Sequence, residues 1–349
     1  MTNLIPVPAQ HRFDEAALAA FLASAVPDFR APLTVQQFRG GQSNPTFLLE
    51  WAGRRAVLRK KPPGALLPSA HAVEREYRVM RALWNTAVPV PEMLAFSDDP
   101  AIIGTPFFVM DFVPGRIFED VTLSAVPVAE RGAMYDAMAD TLAALHRVDY
   151  ATAGLADFGK SGGYVERQVH RWSKQFKATE TEPLPAMERL ISWLPHNLPA
   201  ADETSLTHGD YRLGNIMFHP TEPRVVALLD WELSTLGHPL ADLAFNALAW
   251  HIPAAGETDV LPGLAGLDQA GHGLPAEQDY LQRYVTAAGR AGVPRDWPFW
   301  IAFAAFRFAA ICQGVYYRGL QGNAADSAAP KYGAAARVFA EIGEAQIAG

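Results

Sequence analysis

The amino-acid sequence predicts an α+β fold of two lobes, a small N-terminal lobe over residues 1–112 and a larger, mostly helical lobe over residues 113–349. Short runs rich in β-branched and aromatic residues, separated by turns that contain Gly, occupy the first third of the chain and indicate a sheet. Beyond residue 115, apolar residues instead recur three and four positions apart, which is the spacing of amphipathic helices. Half of the 349 residues are apolar and 19% are charged, so the chain can bury a core for both lobes and is not expected to be disordered.

The predicted elements divide along the chain in the same way. In the N-terminal lobe we expect, in order, helix 14–25, strands 33–38, 46–51 and 55–59, helix 70–85, and strands 91–97 and 105–112. In the C-terminal lobe we expect helices at 127–148, 163–178, 184–194, 239–251, 276–291 and 297–318, interrupted by a strand-rich piece at 215–230. The Gly- and Pro-rich segment 253–275 is predicted to be a long loop with a functional role, since long loops inside compact domains are usually functional.

Charge and cysteine content limit the classes of partner. The net charge of −8 argues against non-specific binding to nucleic acid or to an anionic membrane. Cys312 is the only cysteine, so the chain cannot form an internal disulfide, which fits a reducing cytoplasm. The first residues lack the basic region and apolar core of a signal peptide, and the apolar run 300–317, interrupted by Arg307 and Gln313, is predicted to be a buried helix rather than a membrane span. We therefore expect a cytoplasmic protein that binds a small molecule, with no signal of its oligomeric state.

The segment 206–215 carries the most informative motif, in which His208, Asp210 and Asn215 have the His-x-Asp-x-x-x-x-Asn spacing of a kinase catalytic loop. A further acid, Asp230, follows the apolar run 225–229. Phosphoryl transfer needs a base that orients the attacking hydroxyl and oxygen ligands that hold Mg²⁺ on the phosphates of ATP. Asp210 is therefore predicted to be the catalytic base, and Asn215 and Asp230 to be Mg²⁺ ligands. The alternative is a turn whose Asx residues only cap the backbone, and His208 is expected to be structural.

A Gly-rich turn at 40–44 is a candidate cover for the phosphates of ATP. Glycines at the tip of a hairpin let backbone N–H groups approach a polyphosphate closely. A hairpin needs glycine in any case, so the turn alone is weak evidence for a nucleotide site. The motif of a kinase catalytic loop further along the chain is what favours that interpretation. The candidate nucleotide-binding residues in it are Gly40, Gly41, Ser43 and Asn44.

Arg59 ends the third predicted strand, where a kinase carries the Lys that binds the α- and β-phosphates. Glu76, on the helix that follows, is the expected partner of this cation. Lys60 is the adjacent alternative, but alternation along a strand would point it to the other face of the sheet. The competing interpretation is a surface ion pair of little energetic consequence.

The apolar strand that ends at Phe112 leads into Val113-Pro114-Gly115 and suits a connector between the lobes. The backbone around Met110 and Phe112 could then hydrogen-bond adenine, although the same pattern suits a core strand. Asp242 opens a later helix, which it could cap, or it could accept hydrogen bonds from the backbone of the catalytic loop.

One helix, at 163–178, carries a basic stripe of Arg167, Arg171 and Lys174 at helical spacing, opposite an apolar side. Such a stripe is usually a solvated face. The alternative is a wall that binds the anionic groups of a phosphorylated substrate.

With these motifs, the chain resembles the aminoglycoside phosphotransferase family of kinase-like enzymes, which includes choline kinase-like members. The resemblance rests on the turn 40–44, the helix segment 73–76, the hinge near Met110, the loop 208–215 and the segment 229–232. It implies a two-lobed kinase-like fold with ATP between the lobes, and it gives the positions of Asp210, Asn215 and Asp230 the roles of base and Mg²⁺ ligands. Arg59 departs from the Lys that is common in the wider family.

Other segments are similar to the subgroup that is fused to, or encoded near, acyl-CoA dehydrogenases. They are 57–64, 163–169, Trp172, Gln175, 306–307 and 313–315. This resemblance implies a hydroxyacyl-CoA as the acceptor, phosphorylated on its acyl-chain hydroxyl, and adds Arg307 to the candidate substrate contacts.

Several rival functions remain open at this point. A protein kinase is disfavoured because only the nine residues 233–241 lie between the segment 230–232 and Asp242, too few for a long activation segment. An aminoglycoside kinase usually needs an acidic pocket for its polycation. The net charge of −8 permits such a pocket, but the stripe at Arg167 argues against it. A choline- or homoserine-type kinase is compatible with the loops. A catalytically inactive nucleotide-binding module would be expected to lack Asp210, Asn215 or Asp230, and all three are present.

Overall fold

The computed structural model describes residues 4–39, 44–62, 72–254, 260–321 and 329–348. The chain divides into two compact units, Met1–Gly115 with Val226–Ser234, here the N-terminal unit, and Arg116–Val225 with Thr235–Gly349, here the C-terminal unit. The predicted division after residue 112 falls near the first boundary. The inclusion of Val226–Ser234 in the N-terminal unit was not predicted.

Within the described residues, an antiparallel sheet of six strands forms the centre of the N-terminal unit. The strands are β1 Leu4–Ile5, β2 Thr34–Phe38, β3 Thr46–Trp51, β4 Arg54–Lys60, β5 Met93–Ser97 and β6 Phe107–Asp111. Their order across the sheet is β1-β2-β3-β4-β6-β5. A tight turn joins β3 to β4, and positive φ angles at Ala52 (46°) and Gly53 (81°) give it the twist of a hairpin turn.

Helices pack on this sheet and give its two faces different roles. They are α1 Glu15–Ala25, α2 Val73–Leu83 and the short α3 Pro100–Ile103. Asp14 caps α1 by accepting hydrogen bonds from the first-turn amides of Ala16 and Ala17, each at 2.9 Å. The apolar core on the α1 side includes Leu58 of β4. Alternation along β4 then turns Lys60 to the α1 side and Arg59 to the side of α2.

The C-terminal unit is mostly helical, as predicted. Its helices in the described residues are α4 Val128–His146, α5 Tyr164–Thr179, α6 Pro185–Trp193, α7 Pro239–Ala247, α8 Glu277–Ala287, α9 Trp297–Leu320 and α10 Ala329–Ala345. Every helix predicted for this part of the chain is present within a few residues of its expected bounds. Helix α10 was not predicted. It packs along α9, where the rings of Phe308 and Phe339 meet edge to face at 4.6 Å.

Helix α9 is the core of the C-terminal unit. It alone among the described helices is long and apolar enough to cross a membrane, by length and composition only. In its most apolar window, however, 78% of the helix is buried inside the protein, which is the behaviour of a core helix.

Short strands frame the motif-bearing loops. They are β7 Ser205–Thr207, β8 Ile216–Phe218, β9 Val225–Leu228 and β10 Thr235–Gly237. Strand β7 pairs antiparallel with β10, and the side-chain hydroxyl of Thr207 donates a 3.0 Å hydrogen bond to the carbonyl of Thr235. The loop 208–215 therefore runs from the end of a paired strand to the start of β8.

Candidate active site

The predicted catalytic base lies on the loop between β7 and β8 of the C-terminal unit. The side-chain amide of Asn215 donates hydrogen bonds to the backbone carbonyl of Asp210 at 2.9 Å and to its carboxylate Oδ2 at 2.7 Å. The side chain of Asp210 is 25% exposed, so the carboxylate is held in place and still open to an incoming hydroxyl. Since the nitrogen of Asn215 is committed to Asp210, its oxygen is left to face another partner.

A buried carboxylate fixes the backbone of this loop. Asp242, 2% exposed, accepts hydrogen bonds from the amides of His208 at 2.5 Å and Gly209 at 2.8 Å. Of the two roles that the sequence left open for Asp242, the structure thus shows support of the loop. The side chain of His238 caps α7 instead, accepting a hydrogen bond from the amide of Leu240 at 3.2 Å.

His146 of α4 supports the same carboxylate from a distant part of the chain. Its Nε2 lies 3.5 Å from Oδ2 of Asp242, and its Nδ1 lies 2.7 Å from the hydroxyl of Tyr284. Burial alone would raise the pKa of the Asp242 carboxyl, but His146, His208 and the amide of Gly209 bring it below its ordinary value. Asp242 therefore stays charged and anchors the loop as an anion.

Arg307 of α9 holds the loop from its other side. Its Nη2 donates a 2.8 Å hydrogen bond to the carbonyl of Gly209, and its guanidinium lies 5.8 Å from the ring centre of Phe245. The side chain of Arg307 is buried, and its observed hydrogen bond is to loop 208–215. The contact of Arg307 with substrate stays a prediction.

Two charged residues beside Asp210 were missed in the sequence. Nε of Arg212 lies 3.4 Å from Oδ2 of Asp210, and Nη1 lies 3.1 Å from a carboxylate oxygen of Glu119. Burial opposes the charge of Arg212, but the two carboxylates outweigh this and raise its pKa. The position of Arg212, two residues after the predicted base, could have signalled its role. Glu119 lies 93 positions from Arg212, and no local pattern marks it.

In the N-terminal unit, Arg59 connects two acids from distant segments. Its Nη2 donates a 2.6 Å hydrogen bond to Oδ1 of Asp230, and its Nε lies 3.2 Å from Oε2 of Glu76, close enough for an ion pair though not aligned as a hydrogen bond. The side chain of Arg59 is 15% exposed, whereas that of Asp230 is 30% exposed. The competing interpretation of a surface ion pair is therefore wrong, because Glu76 is almost completely buried.

Burial and neighbouring charges shift the titration of this cluster. Burial raises the pKa of Glu76 to about 7, although Arg59 and a 2.9 Å hydrogen bond from the side-chain amide of Asn44 act against the rise. For Arg59, burial lowers the pKa, but Glu76, Asp230 and Glu232 outweigh this and leave it above its ordinary value. Arg59 is thus a permanent cation, while Glu76 can change its charge near neutral pH.

Asp230 has an unusual backbone conformation. Its φ of 64° and ψ of 62° lie in the left-handed region, which Asp tolerates better than most residues. A helical turn, Trp231–Leu233, follows, and the indole of Trp231 donates a 3.0 Å hydrogen bond to the carbonyl of Leu228. The buried indole and the end of the apolar strand therefore fix the position from which the Asp230 carboxylate projects.

The adjacent cation, Lys60, points away from this cluster. Its ammonium lies 5.1 Å from the ring centre of Phe13, and burial lowers its pKa. Strand alternation favoured Arg59 over Lys60 for the phosphate contact, and the structure places only Arg59 of these two beside Glu76.

The other predicted nucleotide-binding residues are less clearly placed. Gly40, Gly41 and Ser43 lie outside the described residues, so the predicted phosphate cover is represented by Asn44 alone. Met110 lies inside the sheet between Val57 of β4 and Met93 of β5. The amide of Phe112 donates a 3.4 Å hydrogen bond to the backbone carbonyl of Arg55. The guanidinium of Arg55 lies over the Phe112 ring, 4.2 Å from its centre. Adenine binding by this segment stays a prediction.

The basic stripe on α5 is divided in the structure. Arg167 folds back onto its own helix start and donates hydrogen bonds to the carbonyls of Gly162 and Lys160. Arg171 is exposed, with its guanidinium 5.3 Å from the ring centre of Trp172, and Lys174 is exposed. Of the three residues of the stripe, Arg171 and Lys174 are the two whose charged groups are exposed and could meet a ligand. Their role stays a prediction.

The residues predicted to hold Mg²⁺ have suitable chemistry. The structure contains no group of three or more His, Cys, Asp or Glu side chains arranged for a metal within its described residues. A resident metal would need such a cage, whereas Mg²⁺ that arrives on nucleotide phosphates needs only one or two protein oxygens. Asn215 offers a side-chain carbonyl, and Asp230 keeps its second carboxylate oxygen outside the ion pair with Arg59.

Comparison with known proteins gives a consistent result. The sequence model of the phosphotransferase enzyme family matches residues 34–283. Mouse acyl-CoA dehydrogenase family member 10 is 47% identical over 311 residues, which are 89% of this chain and 29% of that protein. Human acyl-CoA dehydrogenase family member 11 is 43% identical over 328 residues, 92% of this chain and 41% of that protein. The chain therefore spans less than half the length of these curated relatives.

Solved structures confirm the predicted fold class. A candidate aminoglycoside phosphotransferase from Ralstonia eutropha JMP134 is 48% identical with a TM-score of 0.88, and the match covers 96% of this chain and 98% of that one. A thermostable mutant of aminoglycoside phosphotransferase APH(4)-Ia, in a ternary complex with ADP and hygromycin B, is 15% identical with a TM-score of 0.61, over 95% of this chain and 99% of that one. At 15% identity, the second likeness concerns the fold alone.

Proposed function

Because the chain belongs to the phosphotransferase enzyme family, we propose that it is a kinase that uses ATP and Mg²⁺ to phosphorylate the hydroxyl group of a hydroxyacyl-CoA. The acceptor rests on one observation. Acyl-CoA dehydrogenase family members contain a segment 43–47% identical to about nine-tenths of this chain. A kinase domain that shares a polypeptide with such a module is expected to act on the same class of thioester.

In the C-terminal unit, Asp210 would orient the acceptor hydroxyl and take its proton late in the reaction. The hydroxyl oxygen forms a bond to Pγ of ATP while the bond from Pγ to the β–γ bridging oxygen breaks, and ADP leaves. Asn215 keeps the carboxylate of Asp210 in one orientation through its 2.7 Å hydrogen bond. Asp242 accepts a hydrogen bond from the amide of Gly209, and Arg307 donates one to its carbonyl. The backbone that carries Asp210 is therefore already fixed before substrate binds, so the reaction would not have to fix it.

In the N-terminal unit, Arg59 would bind the α- and β-phosphates, with Glu76 orienting the guanidinium from behind. Mg²⁺, when bound, would neutralise charge on the phosphates, and Asp230 and Asn215 are the residues proposed to hold it. Asn44 is already fixed by Glu76, so the phosphate cover would begin from an anchored residue.

The structure weakens two rival functions. A protein kinase needs a long segment after its metal-binding Asp, but here β10 begins at Thr235 and α7 at Pro239. An aminoglycoside kinase needs carboxylates that face a polycation. Beside Asp210, Glu119 is already paired with Arg212, which adds positive charge where such a substrate would need negative charge.

A coupled ADP-release assay tests the proposal. The panel contains hydroxyacyl-CoAs with the hydroxyl at C3, C4 or C5, together with aminoglycosides and amino alcohols, each with Mg²⁺ and ATP. We expect turnover with at least one hydroxyacyl-CoA, a product heavier by one phosphoryl group in mass spectrometry, and none in Asp210→Ala. MgATP affinity of that variant, measured by calorimetry, should stay within a few-fold of wild type. Turnover only with an aminoglycoside or an amino alcohol would overturn the acceptor, and near-normal turnover in Asp210→Ala would overturn the base.

A further inference from the structure

A cavity opens in the C-terminal unit directly beside the catalytic loop. Its cavity volume is about 50 Å³, within about 540 Å³ of space between atoms that includes the open mouth. One wall is the loop itself, from Arg212 to Gly214, and the others come from α4, from the end of α7 with the turn after it, and from part of the long loop at 253–275. The apolar side chains that line it include Met138, Phe245, Leu248, Trp250, Ile252 and Leu261.

The polar atoms of the inner wall are already used within the protein. The hydroxyl of Tyr135 donates a 2.6 Å hydrogen bond to the carbonyl of Val121, and the indole of Trp250 donates one of 3.0 Å to the carbonyl of Pro275. The side chain of Asn246 is bonded through both its nitrogen and its oxygen. These polar groups already have hydrogen-bond partners within the protein. The inner wall therefore presents mainly apolar side chains to a ligand.

Charge is confined to the end of the cavity near Asp210. Glu119 is the only carboxylate among the described residues that line it, and it is paired with Arg212 at 3.1 Å. Arg212 in turn lies 3.4 Å from the carboxylate of Asp210. A substrate hydroxyl held at Asp210 would therefore stand at the polar end of the cavity, with the apolar interior beyond it.

The long loop has a defined place in this arrangement. Its described part is fixed by backbone hydrogen bonds from Leu264 to Ala249 at 2.7 Å and from Ala265 to Ile252 at 2.9 Å. The backbone at Gly263 lies so close to Ile252 that an added Cβ would overlap the Ile252 carbonyl oxygen. The loop thus lies tightly on the turn after α7, and Leu261 closes one side of the cavity.

We propose that this cavity binds the alkyl tail of the acceptor, the part of the acyl chain beyond the reacting hydroxyl, and that the loop through Leu261 sets the length of tail accepted. The inference rests on the proposed function, since it takes the acceptor to be a hydroxyacyl-CoA. A carbon-lined cavity whose charged end is formed by Arg212, next to Asp210, fits a flexible chain that carries one internal hydroxyl. It does not fit a polycationic sugar, because its one described carboxylate is paired with Arg212 and the other polar side chains described above already make hydrogen bonds within the protein.

The test compares specificity constants across a series of hydroxyacyl-CoAs that share one hydroxyl position and differ in tail length. In the wild type, kcat/KM should rise by roughly fourfold for each added CH₂, the gain expected from burying one methylene, and then level off when the cavity is full. Ala249→Phe fills the cavity from the turn after α7, so its plateau should come at a shorter tail with the shortest substrate nearly unaffected. Ala133→Phe, an exposed position of α4, is the matched control and should reproduce the wild-type profile.

A second variant protects the test against misfolding. Leu261→Ala removes a half-buried side chain from the loop wall and should move the plateau to longer tails, while lowering kcat/KM for tails that reach Leu261 in the wild type. If the wild type phosphorylates no hydroxyacyl-CoA, the proposed function itself fails. If it phosphorylates them irrespective of tail length, or if both variants change all substrates by one common factor, the proposed function survives and the tail site is wrong.

Discussion

Glu76 offers a quantitative test of the charge cluster in the N-terminal unit. Its side chain is 1% exposed, and burial raises its pKa from 4.5 to about 7 in spite of the nearby Arg59. The perturbation is Glu76→Gln, which keeps the size of the side chain and its carbonyl acceptor for Asn44 but removes the ability to titrate.

The sign of the effect follows from proton linkage. Between pH 4.5 and about 7 the folded protein keeps a proton on Glu76 that the unfolded chain has released. Because the unfolded state then binds fewer protons, stability falls as pH rises through this window and is level above it. A pKa displaced from 4.5 to about 7 corresponds to a loss of about 3 kcal/mol. The Glu76→Gln variant should therefore gain about that much on the wild type between pH 4.5 and 7.

The assay is urea unfolding at several pH values from 4.5 to 8 and constant ionic strength. Pulsed hydrogen exchange of peptides from β4 and α2 reads the N-terminal unit separately from the rest of the chain. The matched control is Glu74→Gln on the same helix, an exposed residue paired with Lys61 at 2.9 Å, which should show no such trend. A difference between wild type and Glu76→Gln that stays constant from pH 4.5 to 8 would refute the reasoning.

Three further changes test other parts of the site. Asp230→Asn should weaken Mg²⁺-dependent ATP binding by about tenfold or more in calorimetry, since an amide lacks the charge that this hard cation prefers, and unchanged affinity would remove Asp230 from the metal site. Arg171→Glu should raise KM for a hydroxyacyl-CoA and leave KM for ATP unchanged if this exposed residue binds the phosphates of CoA; equal effects on both, or none, would return it to a solvated face. Asp242→Asn should lower the free energy of unfolding by roughly 3 kcal/mol, because it breaks a buried charge-assisted network, and should reduce kcat more than KM. Wild-type stability together with wild-type kcat in this variant would contradict the role of Asp242 as an anchor.

Local patterns predicted most of the elements because each depends on a few neighbouring residues. The strand that carries Arg59 and the loop that carries Asp210 are fixed by alternation and by turn chemistry, and each lies within one or two residues of its predicted place. Helix α10 was not predicted because much of its buried face consists of alanine and glycine, including the buried Ala335 and Ala336. Small residues give a weak periodic signal even where they permit close packing.

The contacts that could not be predicted from the sequence are those between segments far apart in the chain. His146 reaches Asp242 across 96 positions, and Glu119 reaches Arg212 across 93. Long side chains make contacts harder to predict for a second reason, since helical spacing does not show which partner a flexible side chain will bind. Arg167 lies on the predicted stripe, yet it turns back to the carbonyl of Gly162. A stripe of charges therefore predicts which residues share a helix face but not what each of them binds.

The family resemblance implies Lys at the position of Arg59, and the contacts of Arg59 show what a guanidinium adds there. A guanidinium can meet two carboxylates along different edges, and here Nη2 bonds to Asp230 at 2.6 Å while Nε lies 3.2 Å from Glu76. A Lys ammonium is a point charge without this fixed fork. In the proposed function, the phosphates of ATP would compete with Asp230 for the same guanidinium, and Asp230 would gain a cation in exchange. In that function, Arg59 would keep the proposed metal ligand in place while the nucleotide is absent and would release it when the phosphates bind.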